Sequence, residues 1–158
     1  MQSQLHQREQ LLMGNRFQIT VVADDEVYTT SCIDKAVNEI ERIEEYLSTY
    51  KASSQTNLSN QHAGKEPVKV SDEVFQLIKR SIKISALTQG AFDITYGSID
   101  KRLWNFDCNM TELPDPETAK VMTRLVNFRN IILDEVHSTV FLKEEGMRIG
   151  FEIGRAHV

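Results

Sequence analysis

"VSDEVFQLIKRSIKISALTQGAFDITYGSI", residues 70–99, reads as one helix followed by an abrupt change of pattern. Ser71 is placed to cap the helix, and Asp72 and Glu73 suit the positive end of its first turn. Val74, Leu77, Ile78 and Ile82 recur at helical spacing along one side. Gly90 then ends the helix, because a left-handed terminal residue costs glycine no Cβ clash. An apolar pair, an aspartate and a second glycine at Gly97 follow, and two readings of them stay open. In the first, Gly90 and the small Ala91 let a planar ligand lie on the backbone, and Asp93 is a fixed acceptor for ring or ribose donors. Trp104 and Phe106 would then wall the pocket. In the second, Gly90 is only a helix end, Phe92 and Ile94 are core, and Asp93 caps a turn. Composition by itself favours this plainer reading.

Working outward from this stretch, "RFQITVVA" (residues 16–23) is β-branched, with Phe17, Ile19 and Val21 on one face, and predicts a half-buried strand. Asp24 to Glu26 make the turn after it. Ile33, Ala36, Val37, Ile40, Ile43 and Leu47 then fall at helical spacing opposite an acidic, solvated face. Residues 48–67 are rich in Ser, Asn, Gln and Gly, and predict a long irregular connection of the kind that carries function or moves. Downstream, Asp115 and Pro116 open a further helix. "NIILDEV" and "TVFLKEE" predict a hairpin turning at His137 and Ser138, and "MRIGF" the start of another strand. Strand, helix, loop, helix, loop, helix and hairpin give an α+β order, mixing helices with antiparallel sheet.

The composition excludes several classes. With 158 residues, 41% of them hydrophobic, the chain can bury one core. Its formal charge of −5 comes from interspersed acidic and basic residues, with no run of Lys or Arg to neutralise a phosphate backbone, so no nucleic-acid partner is expected. Cys32 and Cys108 make neither a disulfide framework nor a zinc site. His6, His62, His137 and His157 show no ligand spacing. Residues 1–11 read as a polar leader, without the apolar core of a signal peptide.

Two other residues are candidates on weak local grounds. Met13, in "LMGNRF", sits beside a glycine before a strand and can pack its sulfur on an aromatic ring, or simply on a core. Tyr50 stands at the mouth of the polar connection, where a flat ligand can stack on it; an ordinary loop tyrosine fits equally well.

In order and spacing, "LMGNRFQITV", "YLSTYKASSQTNLSN", the quoted stretch and "LWNF" resemble the N-terminal half of the ApbE family, the FAD:protein FMN transferases. The resemblance covers residues 12–151. It rests on a Met-Gly before the first strand, a Ser-x-Tyr segment running into a Ser-containing stretch and a Leu-x-Asn, and a Thr-x-Gly-Ala-Phe-Asp-Ile-Thr block ending in a Trp-containing turn. It implies a T-fold-like α+β scaffold and transfer of FMN from FAD to a Thr or Ser hydroxyl of an acceptor protein, with Mg2+ and with AMP as the other product. The acceptors it implies are flavoprotein subunits of electron-transport complexes. Position by position, Met13, Tyr50, Ala91, Phe92 and Asp93 match the family's FAD-contacting positions. A flavin-binding module without transferase activity and a plain structural domain are the rival readings. The family is commonly exported and held at the membrane by a lipid, but residues 1–11 give no sign of either, and the compartment stays open.

The chain departs from the family's pattern in three places. It has Gly97-Ser98 where Gly-Pro is frequent, and Trp104-Asn105-Phe106 where Trp-Gly-Phe is common. After residues 146–151 the family continues into a Gly-rich segment ending in Lys-Gly-Tyr-Ala, then a second half whose Asp and Thr complete the metal site. Here "EIGRAHV" (residues 152–158) stands instead, and it is the translation of GAGATCGGAAGAGCACACGTC, a sequence like that of a common library adapter. The expectation is that residues 152–158 are not biological, that the Mg2+ ligands lie beyond the chain, and that this polypeptide is poorly stable with little or no transferase activity.

Overall fold

The computed structural model describes residues 4–99 and 115–151. They fall into two compact units, one up to Tyr46 and one from Leu47 onward, and each is described by itself.

In the first unit, strand β1 (Gln4–Leu12) and strand β2 (Asn15–Ala23) form an antiparallel hairpin in unbroken register, from Gln4 opposite Ala23 to Leu12 opposite Asn15. Two residues connect them, Met13 at φ 52° and Gly14 at φ 69°, and positive φ at both positions is the type I′ geometry that matches the twist of the paired strands. The stretch read as a polar leader is thus mostly strand. Its half-buried positions, His6, Arg8 and Gln10, alternate with exposed ones, but they are polar, so the period of two carries no hydropathy signal. Helix α1 (Glu26–Leu47) packs Ile33, Val37 and Ile40 with Leu12, Phe17, Ile19 and Val21. This is the face of β2 predicted to be buried. Asp25 does more than turn the chain: its carboxylate accepts the Tyr28 N–H at 2.9 Å and its carbonyl accepts the Thr29 N–H at 3.0 Å, so α1 starts a full two turns before Ile33.

The second unit contains helix α2 (Gln55–Gln61), strand β3 (Val68–Lys69), helix α3 (Asp72–Leu87), a 3₁₀ turn (Ile94–Ser98), helix α4 (Pro116–Met122), two more 3₁₀ turns, and strands β4 (Ile131–Asp134) and β5 (Thr139–Leu142). The strands form an antiparallel sheet in the order β3-β5-β4. Val74, Phe75 and Ile78 of α3 are buried, as are Ile94, Val140, Leu142, Met147 and Ile149. The architecture is α+β with antiparallel pairing, and the β4–β5 hairpin falls where the sequence puts it.

Several local expectations hold, and two are corrected. Ser71 caps α3, its hydroxyl accepting the Val74 N–H, and Asp115 caps α4 ahead of Pro116. The last two buried positions of α3 are Ser81 and Ser85, not aliphatic residues, and each returns its hydroxyl to the carbonyl four residues back, at 2.9 and 3.0 Å. The first correction is that residues 48–67 are not wholly irregular, because α2 lies within them. Its buried residues are Thr56, Asn57 and Ser59, and the side chains of Asn57 and Ser59 bond nearby carbonyls, so no apolar stripe announces the helix. The second is that residues 147–151 join neither sheet, although Met147 and Ile149 are fully buried. Side chains hold that backbone in place of a neighbouring strand. Among the described residues no helix is long and apolar enough to cross a membrane.

Candidate functional site

The end of α3 is tied by Thr88. Its N–H and hydroxyl both donate to the Ile84 carbonyl, at 2.9 and 3.0 Å, and its hydroxyl oxygen accepts the Phe92 N–H at 3.1 Å. Gln89 (φ 53°) and Gly90 (φ 87°) are both left-handed, and Gly90 donates to the Ser85 carbonyl at 2.8 Å. Ala91 donates to the Thr88 carbonyl at 3.0 Å. Every backbone N–H from Thr88 to Phe92 therefore has a partner within the turn, since Gln89 donates to Ala86. Among the described residues, a Cβ built on Gly90 meets nothing within 4 Å. To a ligand the turn offers shape and carbonyl oxygens and no free N–H donors.

Asp93 follows as a joint. One carboxylate oxygen accepts the N–H and the hydroxyl of Thr95, at 2.8 and 2.6 Å, and so caps the 3₁₀ turn; the other accepts the Phe128 N–H at 2.9 Å. The turn-capping role of the plainer reading is present. A carboxylate has about four acceptor sites, and the described residues fill three of them.

Tyr50 stands on a polar pedestal. The hydroxyl oxygen of Ser48 accepts the N–H groups of Tyr50 and Lys51 at 3.1 and 3.2 Å, while the Asn57 amide donates to the carbonyls of Thr49 and Lys51 at 2.8 and 2.9 Å. The turn is fixed and Tyr50 is 76% exposed. This is how a short helix of polar residues, α2, comes to support a projecting aromatic side chain.

The two segments meet through Gly150. Its N–H donates to the carbonyl of Ile94, next to Asp93, at 3.0 Å. On the other side, its α-carbon faces Thr49, next to Tyr50: a Cβ there would be 3.6 Å from a Thr49 methyl and 3.4 Å from the Tyr96 hydroxyl. The structure thus brings Tyr50, Ala91, Phe92 and Asp93 into one unit with a common support. Met13 lies in the first unit, at the β1–β2 turn, with its N–H 3.4 Å from the Glu44 carboxylate. Trp104 and Phe106 fall outside the described residues, as does Cys108. Cys32 is free, on α1.

Sequence reasoning singled out Gly97, Ser98 and the Leu-x-Asn that ends at Asn60, but gave them no structural partner. Asn60 and Ser98 bond the backbone of residues 148 and 149, and a Cβ on Gly97 would come within 3.2 Å of the Arg148 carbonyl. Their common signal is small or amide residues where the pattern wants bulk.

The α+β unit thus carries an exposed tyrosine and a helix that ends in a glycine, and comparison with known proteins places the chain. The ApbE family model matches residues 13–153, and the chain belongs to that family. An FAD:protein FMN transferase of Klebsiella pneumoniae is 31% identical over 139 residues, which are 88% of this chain and 42% of that protein. One from Treponema pallidum is 26% identical over 152 residues, 91% of this chain and 41% of its own length. Among solved structures, the ApbE protein of Thermotoga maritima superposes with a TM-score of 0.78 at 23% identity, covering 93% of this chain and 47% of that one. The flavin transferase ApbE of Vibrio cholerae gives 0.73 at 21% identity, with 94% and 48% covered. The fold is shared, and the chain spans less than half the length of the relatives it matches.

Proposed function

We propose that this chain serves FMN transfer from FAD to a Thr or Ser hydroxyl of an acceptor protein. In that reaction the hydroxyl oxygen bonds to the phosphorus of the FMN half and gives up its proton. The bond from that phosphorus to the bridging oxygen breaks, and AMP leaves with the oxygen. The chain's own contribution is the nucleotide-facing surface: Tyr50 stacks on a ring, the turn at Gly90, Ala91 and Phe92 lets the nucleotide lie against the backbone, and Asp93 takes a ring or ribose donor. Met13 is a further contact that the family resemblance alone implies. Acceptors are flavoprotein subunits of electron-transport complexes.

The observation that carries this reading is the junction at Gly150, which holds the Tyr50 turn and the Asp93 turn together in a chain of the ApbE family. Mg2+ belongs to the proposed reaction, where it would neutralise charge on the breaking pyrophosphate. Among the described residues no group of three His, Cys, Asp or Glu could hold a metal ion, so these residues do not fit a magnesium site and no step is assigned to one.

That same observation favours one rival, a module that holds FAD without cleaving it. Titration of FAD followed by flavin fluorescence tests the shared part: saturable quenching is expected, and no binding would return Gly90 to Asp93 to a helix end and a turn. AMP release in the presence of Mg2+ and a hydroxyl-bearing acceptor protein then separates transferase from module.

A further inference from the structure

Residues 148 and 149 are gripped from two sides by polar side chains. The Asn60 amide, on α2, donates to the Ile149 carbonyl at 3.0 Å and accepts the Ile149 N–H at 2.7 Å, which is the pair of bonds a neighbouring strand residue would make. The Ser98 hydroxyl, at the end of the 3₁₀ turn, donates to the Arg148 carbonyl at 3.2 Å and accepts the Arg148 N–H at 2.9 Å. Gly97 permits the approach, since a Cβ there would crowd the same carbonyl at 3.2 Å. Four bonds from two side chains thus fix two consecutive residues, and the next one is Gly150.

Gly150 is the contact between the Tyr50 turn and the Asp93 turn. It touches Thr49, next to Tyr50, and bonds Ile94, next to Asp93. Neither Asn60 nor Ser98 is among the proposed ligand contacts, so an effect on binding must pass through this backbone.

We infer that Asn60 and Ser98 are positioning residues for the flavin nucleotide: they hold Arg148 and Ile149 so that Gly150 keeps Tyr50 in register with Ala91, Phe92 and Asp93. The inference rests on the flavin reading of that surface and adds to it the residues that set its geometry. Ser98 is the more informative of the two, because it uses its hydroxyl both as donor and as acceptor. Alanine loses both bonds and threonine keeps them. Proline, which has no hydroxyl, could not make this grip.

The test is FAD titration of the full 158-residue chain and its variants Ser98→Ala, Ser98→Thr and Asn60→Ala, with the thermal midpoint of each recorded alongside. Ser71→Ala, which removes the cap of α3 at the opposite end from Gly90, supplies a destabilised control. Ser98→Ala is expected to weaken FAD binding about fivefold, the scale of one net hydrogen bond. Ser98→Thr should restore affinity, and Ser71→Ala should lower the midpoint and leave affinity alone. Asn60→Ala should weaken binding at least as much as Ser98→Ala. If the parent chain binds FAD and the Ser98 and Asn60 variants bind it equally well, or only in proportion to their lost stability as Ser71→Ala does, the positioning role is overturned and the flavin reading survives. If the parent chain binds no FAD, the flavin reading is overturned, and the positioning role with it.

Discussion

Asp93 and Phe128 are joined across thirty-five residues of sequence by a single bond, the Phe128 N–H donating to a carboxylate oxygen at 2.9 Å. The other oxygen of Asp93 is engaged by Thr95, so this side chain ties the 3₁₀ turn after α3 to the chain entering β4. Phe128 itself is 5% exposed, and the bond fixes how the hairpin presents it to the core.

Asp93→Asn should therefore destabilise the chain whatever the ligand does. The amide keeps one acceptor oxygen and turns an NH₂ group toward an N–H or hydroxyl donor, which leaves a part-buried donor unpaired. A loss of about 1–3 kcal/mol is expected, read from the shift of a urea unfolding midpoint. An unchanged midpoint would mean that the bonds to Thr95 and Phe128 contribute nothing net. FAD affinity should fall as well, and must be compared with the Ser71→Ala control to separate lost contact from lost stability.

Glycines of the second unit should differ sharply in tolerance. Gly64 has φ 72°, donates to the Leu142 carbonyl at 2.8 Å, and a Cβ there would lie 2.6 Å from the Glu145 backbone nitrogen. Gly146 has φ 83°, but among the described residues its Cβ would meet only a Leu125 methyl at 3.3 Å. Gly146→Ala should cost about 1 kcal/mol, the left-handed penalty, and Gly64→Ala about 3 kcal/mol or more, because backbone must move. Equal midpoints in urea would refute the close approach of residues 64 and 145.

Acid should loosen the tip of the β4–β5 hairpin. Asp134 accepts the His137 ring N–H at 2.8 Å and the N–H groups of Val136 and His137, and the His137 side chain leads the causes that hold its carboxyl below the usual carboxylate range. A carboxyl lowered in the folded state contributes stability that is complete above its unfolded pKa, about 4, and fades as pH falls through the lower folded value. Asp134→Asn should thus be less stable than the parent at pH 7, and the gap should close as pH falls through the lowered folded value. A gap that stays constant on acidification would show that the charge is not what holds the turn.

What could be read in the sequence was whatever is written in hydropathy or in caps. Phe17, Ile19 and Val21, the Ser71 and Asp115 caps and the turn at His137 each declare themselves because burial or an orphan N–H selects the residue type. β1 and α2 do not, because their inward residues are polar: Arg8 reaches Asp34 at 2.6 Å, and Asn57 bonds two carbonyls of the Tyr50 turn. Residues 147–151 look like a strand because Met147 and Ile149 are buried at a spacing of two, yet their partners are the side chains of Asn60 and Ser98, which no pairing rule anticipates. At the site, Tyr50 and Asp93 were visible as residue types, and their shared support at Gly150 was not. That support depends on contacts of Gly150 with Ile94 and Thr49, far from it in sequence.

The most direct test is calorimetric titration of FAD into the 158-residue chain and into Tyr50→Ala. Tyr50 is 76% exposed, and the printed bonds of its turn to Ser48 and Asn57 are made by backbone groups, so the variant should keep that turn. The account predicts saturable binding by the parent chain, weakened about five- to tenfold in the variant, the scale of one lost aromatic stack. Absence of binding in the parent, or equal binding in both, would contradict the assignment of this surface to a flavin nucleotide.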